Sequence, residues 1–305
     1  MKILLEVAKD ASAWSRALSE RLPEASIHQG PRAPRCDYAV VWRPSPEVFQ
    51  RQTQLKAIFS LGAGVDGLLS MPSLPRQVPL IRMEDVGMAD QMFEYVLYVA
   101  LRHLRWMGKY ERDQRTARWD PQPLLSRASV SIGVLGLGVL GGSIASALAE
   151  FGFNVLGWSR RPKNMSGVQC FHGPPGLERV LAASEVVVVV LPLTPATFNL
   201  LDEEKLSRLS PGSTLVNLSR GQVLSEAALI GALDAGFVSE AFLDVFTTEP
   251  LPRNHCFWTR ADIRITPHVA ALTPPDAAAE QVASKIRAMI AGRSITGIVS
   301  HGCGY

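Results

Sequence analysis

Six consecutive residues constrain this chain more than any other feature. Gly136-Leu137-Gly138-Val139-Leu140-Gly141 follows the apolar run 130–135 and opens a segment carrying Leu140, Ile144, Ala147, Leu148 and Phe151 at helical spacing. A G-x-G-x-x-G turn between a strand and a helix is the fingerprint of a dinucleotide-binding βαβ unit. Gly136 permits the tight turn, Gly138 lets the backbone approach a pyrophosphate, and Gly141 lets the helix pack close to the strand. The helix N-terminus at Val139 and Leu140 then faces the anion. Glycines that merely turn the chain are the competing explanation, and the strand before and helix after speak against it.

The surrounding pattern agrees. Six strand-like runs fall at 130–135, 155–158, 186–191, 214–218, 241–245 and 263–266, the number in the two halves of a doubly wound dinucleotide-binding sheet. The stretch Val186-Val187-Val188-Val189-Val190-Leu191 has no polar alternation, as expected of a parallel strand covered by helices on both faces. Residues 1–100 show further short apolar runs at 3–7, 38–42, 57–59 and 78–81, an α/β rhythm of their own. The spacing of Phe93, Val96, Leu97, Ala100, Leu101 and Leu104 predicts one long helix over 88–110 that joins two domains, and a last helix to about residue 292 returns to the first of them. The expected division is 1–100 with 275–305, against 101–274, with a cleft between.

Composition excludes several classes. At 305 residues and 47% hydrophobic content the chain can bury two cores. A formal charge of +3 implies no polyelectrolyte partner. A basic stripe at Arg102, Arg105, Lys109 and Arg112 is interrupted by Glu111 and Asp113 and lacks an aromatic platform, so a solvated face or a subunit contact is expected rather than nucleic-acid binding. Cys36, Cys170, Cys256 and Cys303 are dispersed with no C-x-x-C pair, so neither a metal site nor a redox dithiol is expected, and a reducing compartment fits. The opening Met1 to Glu6 meets an acid before any signal-type apolar core, and there is no membrane-length apolar run. A cytoplasmic location is expected.

Where the second strand of such a sheet normally ends in an acid that holds the adenosine 2′-hydroxyl, this chain reads Trp158-Ser159-Arg160-Arg161. Ser159 can hydrogen-bond a 2′-phosphate, and the guanidinium groups of Arg160 and Arg161 can pair with it. NADPH is the expected cofactor, with NADH the weaker one. The competing reading of the arginines is a solvated loop pair.

Polar residues at the later strand ends form a short set: Asn217-Leu218-Ser219-Arg220-Gly221, then Asp244-Val245-Phe246 with Glu249-Pro250-Leu251-Pro252, then Thr266-Pro267-His268. With the glycine turn, these motifs resemble the D-isomer-specific 2-hydroxyacid dehydrogenase family. Trp42-Arg43-Pro44, Leu61-Gly62-Ala63-Gly64-Val65-Asp66, Trp158-Ser159-Arg160 and the closing Gly304-Tyr305 are most similar to its glyoxylate/hydroxypyruvate reductase A branch. The resemblance spans essentially the whole chain. It implies a Rossmann cofactor domain with a smaller flavodoxin-like α/β substrate domain, and a homodimer formed partly through 87–110 and the following loop. It also implies that Arg220 clamps the substrate, Glu249 partners the histidine and His268 is the acid.

Elementary chemistry agrees with those roles. An arginine fork holds the carboxylate of a 2-keto acid and leans on the neighbouring carbonyl oxygen, where negative charge develops as hydride arrives. A protonated imidazole, favoured by a carboxylate beside it, then supplies the proton. By resemblance Asp244 binds the nicotinamide amide, with a buried acid capping a loop as the alternative. Pro192 would line the adenine side. The loop of Ala63, Gly64 and Val65 would bind the substrate carboxylate through its backbone, or be an ordinary strand-to-helix turn. Trp42 would close a pocket for two or three carbons, or be a core tryptophan. The expected reaction is NADPH-dependent reduction of glyoxylate or hydroxypyruvate. The competing readings are a nucleotide-sensing corepressor on the same fold and an NADH-dependent D-lactate or phosphoglycerate type of dehydrogenase.

Overall fold

Strands that are apolar on both faces need cover on both faces, and this chain meets that demand with two all-parallel sheets. The structure, a computed structural model, describes residues 1–30 and 32–300. Cys303 and the closing Gly304-Tyr305 lie outside the described residues. The chain divides into two units, 1–87 with 273 onward, and 88–272.

The first unit contains β1 (Lys2–Val7), α1 (Ala11–Arg21), β2 (Ser26–Gln29), β3 (Tyr38–Trp42), β4 (Ala57–Ser60), α2 (Asp66–Leu69) and β5 (Leu80–Ile81). Its sheet has the order β2-β1-β3-β4-β5, every pair parallel, which is the flavodoxin-like arrangement. Leu4, Ala39, Val41, Ile58 and Leu80 share one core beneath it.

The second unit opens with α3 (Met88–Leu104) and α4 (Met107–Arg115). It continues through β6 (Ser131–Leu135), α5 (Val139–Glu150), β7 (Asn154–Ser159), β8 (Val168–His172), α6 (Gly173–Ala183), β9 (Val186–Val189), α7 (Glu203–Leu206), β10 (Ser213–Asn217), α8 (Glu226–Asp234), β11 (Val238–Leu243) and β12 (Ile263–Ile265). The chain then rejoins the first unit in α9 (Pro275–Ile290), which packs on α1. The seven strands run β12-β11-β10-β9-β6-β7-β8, all parallel. Strand order reverses between β6 and β9, and such a switch point is where α/β sheets place their ligands. All four residues of β9 are fully buried, because one core covers its α6 and α8 side and another its α3 and α5 side.

Four expectations change. The predicted helix over 88–110 is two helices, because Trp106 takes a left-handed φ of 58° between them. The expected boundary near residue 100 lies instead at 87/88, since Met92, Val96, Val99 and Ala100 of α3 pack with Ile132 and Ile144 in the second unit's core. Two strands escaped the sequence pattern, β2 and β8; both are sheet edges with polar, partly exposed residues and so carry no apolar run. The basic stripe is a solvated face only in part, with Arg105 and Arg112 exposed. Arg102 is buried, bonding Glu240 through Nε at 3.0 Å and Nη2 at 2.9 Å, and also Glu111. Hydrogen bonds donated to Glu111 and then to Glu240 outweigh burial and hold that guanidinium firmly charged. Lys109 pairs with Asp113 and Asp120 at 2.5 and 2.7 Å.

Candidate active site

The glycine turn is built by close contacts. Gly136 has φ 108°, its N–H donates to the Trp158 carbonyl at 2.8 Å, and a Cβ there would lie 2.5 Å from the Val190 carbonyl oxygen. A Cβ on Gly141 would fall 1.9 Å from the Gly136 carbonyl oxygen. Both positions therefore exclude any side chain. Gly138 differs: it is exposed, and nothing lies within 4 Å of where its Cβ would be. That open backbone, at the first turn of α5 with Val139 exposed and Leu140 partly so, leaves orphan N–H groups where a phosphate can approach.

At the end of β7, Ser159 donates its hydroxyl to the Arg161 carbonyl at 2.8 Å, with Arg160 and Arg161 exposed beside it. The donors and cations fit an added phosphate, and no carboxylate ends the strand. Pro192, half-buried beyond β9, accepts a hydrogen bond on its carbonyl from Thr197 at 2.6 Å.

The ends of β10, β11 and β12 carry the densest polar network. Asn217, the last residue of β10, is 1% exposed and spends its side chain on the loop that follows. Its Oδ1 accepts from the Ser219 N–H at 3.1 Å and hydroxyl at 2.8 Å, and its Nδ2 donates to the Arg220 carbonyl at 3.2 Å. Arg220 donates to the Ser219 carbonyl at 2.7 Å. A Cβ at Gly221 would lie 1.9 Å from the Phe246 carbonyl carbon, so the Arg220 loop presses backbone to backbone on the segment that leads to Glu249.

Glu249 ties that segment to the next. Its Oε1 accepts the Phe246 N–H at 3.2 Å, and its Oε2 meets His268 Nδ1 at 2.8 Å. His268 sits at φ 57°, a conformation rare outside glycine, and is held there by its N–H bond to the Asp244 carbonyl at 2.8 Å. With Nδ1 engaged by Glu249, Nε2 is the ring nitrogen left to exchange a proton with a substrate.

A family model for the D-isomer specific 2-hydroxyacid dehydrogenase NAD binding domain matches residues 97–270. Glyoxylate/hydroxypyruvate reductase A of Serratia proteamaculans is 43% identical over 304 residues, covering 97% of each chain; that of Yersinia enterocolitica is 42% identical over 303 residues, again covering 97% of each. The chain belongs to the D-isomer specific 2-hydroxyacid dehydrogenase family. Among solved structures, a member from Xanthobacter autotrophicus Py2 in complex with NADPH and MES matches with a TM-score of 0.94 and 41% identity, over 100% of this chain and 99% of that one. The NADPH-dependent glyoxylate/hydroxypyruvate reductase of Sinorhizobium meliloti, with NADP and sulfate, matches with a TM-score of 0.93 and 33% identity over the same shares.

In this dehydrogenase Asp244 is 2% exposed and its carboxylate is largely committed to the histidine loop. Oδ1 accepts from the Thr266 hydroxyl at 2.6 Å and the Val269 N–H at 2.9 Å, and Oδ2 accepts from the Ala270 N–H at 2.9 Å. Behind them Tyr95 of α3 lies 3.0 Å from the Thr266 hydroxyl. Since Thr266 gives its proton to Asp244, Tyr95 is the donor to Thr266. Burial pushes the Tyr95 hydroxyl above the ordinary phenol range, keeping it a neutral donor. Thr266 stood in a strand-end motif without a role, and Tyr95 carried no signal at all, because the apolar spacing of its helix does not include it.

In the first unit, the indole of Trp42 lies directly on Gly62, where a Cβ would come 2.0 Å from its ring. Gly62 thus serves as a seat for the ring. Ala63 and Gly64 are partly exposed, whereas Val65 turns its side chain into the core at 3% exposure and can offer only backbone.

Proposed function

We propose that this dehydrogenase reduces small 2-keto acids with NADPH, taking glyoxylate to glycolate and hydroxypyruvate to D-glycerate. The observation that carries the reading is the His268–Glu249 pair at 2.8 Å, at the carboxyl edge of a dinucleotide-binding sheet. When bound, NADPH supplies the hydride. Arg220 holds the substrate carboxylate and stabilises the charge that develops on the carbonyl oxygen. His268 gives its Nε2 proton to that oxygen while Glu249, on Nδ1, fixes the ring's orientation. Asp244 orients the His268 loop, and the remaining lone pair of its Oδ2 is the atom left for the nicotinamide amide.

Gly136, Gly138, Gly141 and the N–H groups of Val139 and Leu140 take the pyrophosphate, Pro192 lines the adenine, and Ser159, Arg160 and Arg161 take the 2′-phosphate. The absence of a carboxylate after β7 disfavours an NADH-dependent relative of the D-lactate or phosphoglycerate type, and the reductase relatives disfavour a corepressor. Ala63, Gly64 and Val65 receive the substrate carboxylate through backbone groups, and Trp42 limits the pocket to short chains. Exposed Tyr98, Met107, Trp119 and Leu124 support the homodimer expected from the family, which light scattering of the purified protein tests. The three described cysteines, none in a disulfide, are in keeping with a cytoplasmic enzyme.

The decisive experiment is a steady-state screen of short 2-keto acids against both reduced cofactors. Glyoxylate and hydroxypyruvate with NADPH should lead in kcat/KM; a clear NADH preference removes the role of Ser159, Arg160 and Arg161. No stoichiometric NADPH oxidation with any keto acid removes the enzymatic reading.

A further inference from the structure

His172 is absorbed by none of the roles above. It is the last residue of β8 and the N-cap of α6, is exposed, and makes no side-chain capping bond. Among the described residues its ring has no hydrogen-bond or ion-pair partner.

Strand register decides what it stands beside. Strands β7 and β8 pair in parallel with Val155 opposite Val168, Gly157 opposite Cys170 and Ser159 opposite His172. Val155, Val168 and Cys170 pack into the core on the α5 side, while Leu156, Trp158 and Phe171 pack on the α6 side. Side chains alternate faces along a strand, so Ser159 and His172 both lie on the α5 side, as lateral neighbours at the carboxyl ends. The loop joining the two strands folds back over the same corner: Met165 packs on the α5 side, with its Cε 3.6 Å from where a Cβ on Gly142 of α5 would be.

Among the charged and titratable groups on the elements around His172, the cations gather on the loop between β7 and β8. The loop carries Arg160, Arg161 and Lys163, and the first turn of α5 has no acid. Cys170 is two residues back on β8, partly buried. On α6, Arg179 lies over the Phe171 ring on the opposite face, with Glu178 beside it in sequence, and Glu150 closes the far end of α5.

We infer that His172 is a further ligand of the cofactor's 2′-phosphate, completing the corner made by Ser159, Arg160 and Arg161 and making NADPH affinity depend on pH. The inference rests on the NADPH reading above. An imidazole is the side chain whose charge changes across the physiological range. Its contribution is present when the ring is protonated and is lost as pH rises.

The test is equilibrium binding of NADPH and of NADH, followed by fluorescence, to the parent, His172→Gln and His172→Arg at about pH 6 and about pH 8.5. The 2′-phosphate loses its own second proton near pH 6, which strengthens binding as pH rises, so parent and variant are compared at each pH. At the lower pH His172→Gln should bind NADPH about fivefold more weakly than the parent, and at the higher pH equally well. His172→Arg should hold tight binding at both, and NADH should not distinguish the three proteins. A parent-to-variant ratio that does not change with pH, or an equal loss for NADH, overturns the role of His172. A parent without preference for NADPH at either pH overturns the underlying cofactor reading instead; a preference that ignores His172 sinks this inference alone.

Discussion

The carboxyl edge of one sheet holds two polar regions built in opposite ways. At β10, β11 and β12 nearly every group is buried or tied: Asn217 to its loop, Asp244 to three donors, His268 to both Asp244 and Glu249. At β7 and β8, the Ser159 hydroxyl donates within its own loop and Arg160, Arg161 and His172 are exposed. Proton transfer needs a donor held within a few tenths of an ångström, and a left-handed histidine stays in place only where surrounding bonds over-determine it. Recognition of a phosphate dianion needs charge density more than fixed geometry, and exposed cations supply it. Rigidity is thus spent where the reaction occurs and omitted where a charge is recognised.

Substitutions at the two regions should therefore differ in kind as well as size. The larger effect belongs to the tied region: Arg220→Ala should lower kcat/KM for glyoxylate by about 10²–10³, the scale of losing a donor to a developing oxyanion. A loss within about threefold, under about 1 kcal/mol, removes its role as clamp. At the loose region, replacing Arg160 and Arg161 together by Ala should raise the KM for NADPH by about tenfold or more, as expected for lost charge-assisted hydrogen bonds. The kcat, and the KM for NADH, should stay near the parent values. A fall in kcat instead would mean that the loose corner also shapes the reacting end. Smaller still, Thr266→Val cuts the link from Tyr95 to Asp244 and removes one of three donors; kcat should fall about five- to tenfold, from a hydrogen bond of about 1 kcal/mol, with NADPH affinity little changed. An equal effect on cofactor affinity would blur the contrast.

The same contrast governs what the sequence made legible. The buried strands and the glycine turn were readable because burial on both faces and close backbone approach each leave a compositional mark, a valine run in β9 and glycine at 136 and 141. Arg220, Glu249 and His268 were visible as polar residues at successive strand ends. Edge strands β2 and β8 were not, because an edge has no need of an apolar run. Nor was the break at Trp106, where a left-handed residue interrupts helical periodicity without a glycine or proline to mark it. Buried partners brought together from distant positions, such as Arg102 with Glu240 and Tyr95 with Thr266, depend on tertiary packing that local spacing cannot encode.

The account turns on His268 as the proton donor seated by Glu249, and rapid-mixing single-turnover oxidation of enzyme-bound NADPH by glyoxylate measures that step directly. For His268→Asn the rate should fall by at least about a hundredfold, the lower end for a lost general acid, while the equilibrium affinity for NADPH stays within about twofold. A rate within about threefold of the parent would contradict the account, because the proton would then be coming from elsewhere.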